Sequence, residues 1–103
     1  MRYRLYQVIE DRIREVGFRS YQPNRPVQAA DYHLTYQGEM PDEGSDTATL
    51  ESLFYKFNMY HPEDFQSYSL SMADVVWLED RAYYCDTVGW KRLDATAIVG
   101  EFA

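Results

Sequence analysis

The residues of this sequence with the most chemical potential are few and scattered. His61, Glu63 and Asp64 fall within four positions and come nearest to a metal-binding cluster. A metal site needs three or four convergent ligands, whereas a His-Pro-Glu-Asp run is typical of the entry to a helical turn, where proline and acidic residues are favoured. We therefore expect a structural role for this run and no metal.

Nucleophilic catalysis is not indicated either. The two histidines, His33 and His61, have no serine or cysteine nucleophile signature beside them. Cys85 precedes Asp86, and a neighbouring carboxylate together with burial raises the pKa of a thiol, which favours a packed and inert side chain. Glycine-rich phosphate loops are absent from the sequence. We expect no catalytic residue and no cofactor.

Acidic residues are plentiful and occur as adjacent pairs at 42–43, 63–64 and 79–80. Adjacent acids on loops usually form a solvated patch rather than a tuned acid–base pair. The run 42–46 followed by Glu51 only distantly resembles a calcium loop, which alternates oxygen ligands and closes on a bidentate glutamate. These carboxylates are therefore interpreted as surface.

Charge is unevenly distributed along the 103 residues, whose net charge is −7. Residues 1–30 carry six arginines against three carboxylates, and residues 31–103 carry four basic residues against fourteen acidic ones. A net-acidic chain repels phosphate backbones, so no direct nucleic-acid binding is expected. The early arginines could form a local basic face, although the solvated side of one or two strands is the preferred interpretation.

Length and composition predict one compact domain over residues 1–103. Hydrophobic residues make up 46% of the chain, too many for a disordered sequence. There is neither an apolar run long enough to cross a membrane nor a signal peptide, so no membrane insertion is expected. A single cysteine fits a reducing, cytoplasmic compartment.

The order of elements predicts an α+β fold. Residues 3–9 form a strand with apolar groups on both faces, 14–18 are expected to return as a second strand, and 32–37 alternate as a half-buried strand. Residues 75–78 and 82–85 form a hairpin, followed by a strand at 90–93. Ser71 and Asp74 have the spacing of a capping box, so Asp74 is expected to cap a turn.

One main helix is predicted at about 47–58, because an apolar stripe recurs at i, i+3, i+4 and i+7 from Leu50. Its N-cap candidates are Asp46, Thr47 and Thr49, and Asn58 is the expected stop. The prediction is a mostly antiparallel β-sheet packed against this helix. Its expected core residues are Leu5, Leu34, Leu50, Leu53, Phe54, Phe57, Val76 and Leu78.

Five blocks of the chain resemble, in order and spacing, the YodL-like domain family. They comprise residues 30–40, 49–58, 61–65, 69–76 and 83–90, and the opening strand of the family is similar to residues 3–7. The resemblance covers most of the chain and departs from the family pattern in three places. Ser67-Tyr68 replaces a frequent Gly-His pair, the loop 23–26 replaces a helical stretch, and Cys85-Asp86-Thr87 replaces a frequent Val-Asp-Ser.

This resemblance implies a passenger domain of bacterial conjugative elements and phages, with no established catalytic residues to transfer. Together with the acidic and tyrosine-rich composition, it predicts a non-catalytic protein-interaction module that modulates or antagonises a host protein. The chain is expected to be a monomer or a weak homodimer formed through an edge strand. The candidate surface residues are Asp42, Glu43, Asp46, Tyr55, Tyr60 and Tyr68.

Two alternatives remain open. One is a small hydrolase-like enzyme with an unrecognised site, and the lesser one is a nucleic-acid mimic whose carboxylates occupy a phosphate-binding groove. A concave pocket with convergent polar groups would favour an enzyme, whereas a flat aromatic and acidic face would favour a binding module.

Overall fold

The computed structural model describes residues 1–103 and contains a five-stranded antiparallel sheet with one long helix. Its helices are α1 (Ile13–Val16) and α2 (Asp46–Met59), and its strands are β1 (Arg2–Val8), β2 (Val27–Gln28), β3 (Tyr32–Glu39), β4 (Val75–Leu78), β5 (Arg81–Cys85), β6 (Trp90–Leu93) and β7 (Ile98–Val99). The sheet order is β3-β1-β4-β5-β6, and β2 pairs in parallel with β7 as a separate ribbon. The predicted α+β class and the antiparallel sheet are confirmed.

Strand β1 carries apolar side chains on both faces, and each face is buried in a separate core. Tyr3 and Leu5 belong to a core that also contains the buried face of α2. Tyr6 belongs to a second core, to which Val27 and Phe102 contribute from outside the sheet. Side chains alternate across a strand, so β1 supplies both cores in turn.

Helix α2 covers the first face. Leu50, Leu53 and Phe57 are fully buried, and Phe54 packs partly buried against the same core, as the apolar stripe predicted. The N-cap is Ser45, whose Oγ accepts a hydrogen bond from the backbone N–H of Ala48 at 3.1 Å. The predicted N-caps, Asp46, Thr47 and Thr49, were therefore wrong, since all three lie within the helix. Asn58 remains helical and donates to the carbonyl of Phe54 at 2.7 Å instead of ending the helix.

The second face is covered by irregular chain, from residues 9–31 and from the tail. Tyr21, Tyr32, Ile98 and Phe102 pack partly buried against this core. The predicted second strand at 14–18 was wrong, because residues 10–16 form a 3₁₀ turn followed by α1. Both edges of β1 are already paired, with β3 and β4, so no hydrogen-bonding edge is left for a returning hairpin strand.

Leu34 was wrongly predicted as core and is 37% exposed. The register between β1 and β3 shifts at Leu5 and Tyr6, which pair with Tyr36 and Leu34 and leave Thr35 between them unpaired. Such an extra residue reverses the alternation of side chains, so Tyr36 reaches the α2 core while Leu34 lies on the other face at the edge of the sheet.

Substitution of Phe57 by alanine is predicted to lower the free energy of unfolding by about 3–5 kcal/mol, because it leaves a cavity under α2. Urea denaturation followed by circular dichroism measures this change. Tyr55→Ala is the matched control on the exposed side of the same helix and is expected to change the free energy by less than about 0.5 kcal/mol. Equal losses in the two variants would contradict the assignment of the buried face.

Candidate functional site

An exposed aromatic patch lies at the C-terminal end of α2. Tyr55, Met59 and Tyr60 are 56%, 62% and 68% exposed, and the rings of Tyr55 and Tyr60 lie 5.5 Å apart between centroids. Tyr55 and Met59 are four residues apart, so they share one side of the helix. We call these three residues the α2 patch. Two of its members were singled out from the sequence, and Met59 was missed.

The other tyrosine predicted for the surface, Tyr68, is turned towards the interior. Its hydroxyl donates to Asp74 at 3.2 Å, and its ring lies 5.8 Å from that of Phe18 between centroids. Burial together with the charge of Asp74 raises the pKa of Tyr68. The structure therefore places Tyr68 in a buried polar network rather than in the α2 patch.

The three predicted surface carboxylates lie at the opposite end of α2 from the patch. Asp42 and Glu43 are exposed in the preceding loop, where Asp42 accepts from the backbone N–H of Gly44 at 2.9 Å. Asp46 is half-buried, accepts from Arg81 at 2.6 and 3.0 Å and also accepts from the Tyr83 hydroxyl. The hydrogen bond from Arg81 lowers the pKa of Asp46. A 14-residue helix is about 21 Å long, so acids and tyrosines do not form one surface.

Asp74 is buried immediately before β4 and is the acceptor of three hydrogen bonds. Its carboxylate accepts from the side chain of Gln7 at 3.0 Å, from the backbone N–H of Ser71 at 2.8 Å and from Tyr68. The predicted turn-capping role is therefore confirmed. Ala73 has a φ of +81°, a conformation that favours glycine, and its carbonyl accepts from the Tyr32 hydroxyl at 2.6 Å. Burial raises the pKa of Asp74 to about 7, against the effect of its three donors.

The remaining candidate groups do not converge on a reactive centre. Cys85 is buried, and burial together with Asp74 and Asp86 raises the pKa of its thiol to about 12. His33 is exposed on β3, and His61 is exposed in the loop that follows α2. No three His, Cys, Asp or Glu side chains lie close enough to hold a metal ion.

A concave cleft of about 270 Å³, which no sequence pattern predicted, lies on the second face of the sheet. Three arginines line it, Arg12, Arg19 and Arg25, together with tyrosines that include Tyr21 and Tyr84. We call it the arginine cleft. Its lining contains no histidine and no cysteine, although it includes two carboxylates.

The walls of the arginine cleft are attached to the sheet by side-chain hydrogen bonds. The hydroxyl of Tyr84 donates to the carbonyl of Arg19 at 2.6 Å, and the backbone N–H of Tyr21 donates to Asp86 at 3.0 Å. The excess of arginine in residues 1–30 was the available signal. These arginines were interpreted as the solvated side of one or two strands. Residues 9–26 contain no strand, however, and fold over β5 instead.

Fold and site define a small α+β domain with two surface features, the α2 patch and the arginine cleft. The sequence matches the YodL-like domain family over residues 2–95, and the chain belongs to this family. No curated protein and no solved structure matches it. None of its helices is long and apolar enough to span a membrane.

The buried Asp74 predicts a pH-dependent stability. Its folded pKa of about 7 lies above the ordinary value of 3.8, so between these values the folded state holds the proton more tightly. Its contribution to stability is therefore present at low pH and is lost as pH rises towards 7, at up to about 1.4 kcal/mol per pH unit. The measurement is the difference in unfolding free energy between wild type and Asp74→Asn from pH 5 to 8.

Asparagine keeps an acceptor for Gln7 and Ser71, and its NH₂ group can donate to the Tyr68 hydroxyl. The advantage of wild type over Asp74→Asn is expected to shrink as pH rises. Asp80→Asn is the control for the loss of one carboxylate, since the Asp80 side chain is 93% exposed and its replacement opens no buried site. A wild-type advantage over Asp74→Asn that is constant with pH would overturn the prediction.

Proposed function

We propose that this domain is a non-catalytic protein-interaction module that modulates or antagonises a host protein, and that it binds through the α2 patch. The observation that carries this proposal is the exposure of Tyr55, Met59 and Tyr60 side by side. Contiguous apolar groups of this kind mark interaction sites in small proteins, and tyrosine and methionine are enriched at the centres of interfaces.

The α2 patch is held on a rigid base. Phe57, which lies between Tyr55 and Met59 in the sequence, is fully buried on the opposite side of the helix. Its ring lies 4.9 Å from that of Phe65 between centroids. The side chain of Asn58 ties the last turn of the helix to the carbonyl of Phe54. A patch that is ordered before binding loses little conformational entropy when a partner covers it, which favours affinity.

Electrostatics support a partner with a basic rim. Glu51 is exposed one helical turn before Tyr55 and Lys56 directly after it, so the negative charge that favours such a partner comes from the chain as a whole, which carries −7. Complementary charge accelerates association and selects among partners more than it adds affinity. The proposed setting is the cytoplasm of a bacterial host, which suits the single reduced cysteine.

A small enzyme is the second candidate, and the arginine cleft is the observation that favours it. Concave sites with convergent polar groups are the usual place for substrates. The cleft lining lacks the histidine or cysteine that would serve as a nucleophile or general base near neutral pH, so binding is the better-supported use of this feature.

The interaction proposal predicts that a partner is lost when the α2 patch is removed. Tagged wild type and Tyr55→Ser/Tyr60→Ser are used to capture proteins from a bacterial host lysate at low and high salt, with detection by mass spectrometry. A protein captured by wild type is then purified, and its affinity for both forms is measured. We expect at least about tenfold weaker binding by the double variant, because central tyrosines dominate interface energies.

Val88→Ser is the matched control, since Val88 is 90% exposed in the β5–β6 turn, outside the patch. It is expected to retain the partner. Capture that weakens at high salt would support the acidic contribution, and capture that is equal at both would assign the binding to the aromatic groups. A partner held equally by the double variant would exclude the α2 patch as the binding surface.

A further inference from the structure

We propose that the arginine cleft binds a phosphate monoester attached to a small organic group. This inference is independent of the α2 patch, because the patch belongs to the helix on one face of the sheet and the cleft to the irregular chain on the other. It assigns a ligand class to a site that has no part in the proposed protein interaction.

Ion pairing leaves two of the three guanidinium groups of the cleft available. Arg12 donates to Asp31 at 2.9 Å and is thereby neutralised. The Arg19 side chain makes only one hydrogen bond, to the carbonyl of Arg14 at 3.2 Å, and the Arg25 side chain makes none within the chain. Each guanidinium has five donors in a planar fork, so most of the donors of these two arginines are free.

The charge and shape of these donors match a phosphate. A phosphate monoester carries about −1.5 to −2 near neutral pH, and arginine binds it through two parallel hydrogen bonds. Arg19 and Arg25 together supply the opposite charge. Glu15 also lines the cleft and makes no ion pair, so its carboxylate offsets part of the positive charge that Arg19 and Arg25 present to the ligand.

The rest of the cleft suits an organic group of modest size. Its volume of about 270 Å³ lies near the lower end of ligand pockets, which start at about 300 Å³. Tyr21 and Pro26 provide apolar contact, and the side-chain amides of Asn24 and Gln28 lack partners within the chain. The cleft thus offers a phosphate site, an apolar wall and amides that fix orientation.

The cleft is also formed in advance. Its loop is fastened to β5 through the carbonyl of Arg19, and the backbone N–H of Arg25 donates to the carbonyl of Gln22 at 3.0 Å across a turn. Pro23 and Pro26 fix two backbone φ angles in this turn and its continuation. A ligand therefore does not have to order the loop when it binds.

Long polyanions are poor candidates for this site. The chain carries −7, and residues 31–103 carry fourteen carboxylates, which repel an extended phosphate backbone. Charges are screened beyond about 10 Å at 0.1 M salt, so a single phosphate within the cleft responds mainly to the nearby arginines. One phosphate on a small group fits both conditions.

The test is a titration followed by ¹H–¹⁵N chemical shifts at constant ionic strength. The probes are inorganic phosphate, adenosine monophosphate and a short phosphotyrosine peptide, with adenosine and the unphosphorylated peptide as matched controls. We expect saturable shifts at residues 19–28 for at least one ester and none for its unphosphorylated control. Shifts with inorganic phosphate alone, or equal binding of a control, would overturn the proposal.

Variants decide whether the arginines bind the phosphate. Arg19→Ala/Arg25→Ala is expected to weaken ester binding at least about tenfold, because each charge-assisted hydrogen bond contributes strongly. Arg25→Lys should fall between this variant and wild type, since lysine keeps the charge but loses the fork. Arg14→Ala is the matched control, because Arg14 is exposed in the same segment and its side chain does not line the cleft.

Unchanged binding in the double variant, or an equal loss in Arg14→Ala, would overturn the assignment of the site. Circular dichroism and thermal melting verify that the variants fold, which is expected because the side chains of Arg19 and Arg25 are exposed. The two esters distinguish the source of the phosphate. Tighter binding of the nucleotide indicates a free small molecule, and tighter binding of the peptide indicates a phosphorylated side chain of a protein.

Discussion

The alternation of side chains along β1 is the constraint on which the rest of the structure depends. Leu5 lies in the core beneath α2, and the next residue, Tyr6, lies in the core on the opposite face. A strand that is apolar on both faces is stable only in a sheet that is covered on both sides. Helix α2 covers one side, and residues 9–31 and the tail cover the other with irregular chain.

Irregular chain packed on a sheet leaves backbone polar groups that need partners, and tyrosine hydroxyls supply the partners for three carbonyls. Tyr84 donates to the carbonyl of Arg19, and Tyr32 donates to the carbonyl of Ala73, while both rings pack in the second core. A tyrosine can fill a core with its ring and satisfy a carbonyl with its hydroxyl. This dual use accounts for three of the ten tyrosines in the chain, since the Tyr6 hydroxyl likewise donates to the carbonyl of Ala103 at 3.1 Å.

The same arrangement separates the two surface features of this YodL-like domain. The α2 patch rests on a regular helix whose inner face is buried, so its side chains project from a rigid base. The arginine cleft results from a loop that returns over β5 and directs its polar groups outward. One sheet thus supports an aromatic surface on one side and a basic cleft on the other, within a chain of net charge −7.

Local patterns in the amino-acid sequence were enough to predict the antiparallel sheet, the position of α2 and six fully buried core residues, because apolar periodicity is a local property of the chain. It also indicated Tyr55 and Tyr60 as surface. Tertiary structure decided the rest. The unpaired Thr35 exposed Leu34, the occupied edges of β1 kept residues 14–18 out of the sheet, and contact with Asp74 turned Tyr68 inward. Each outcome depends on pairing between distant segments, which no local pattern encodes.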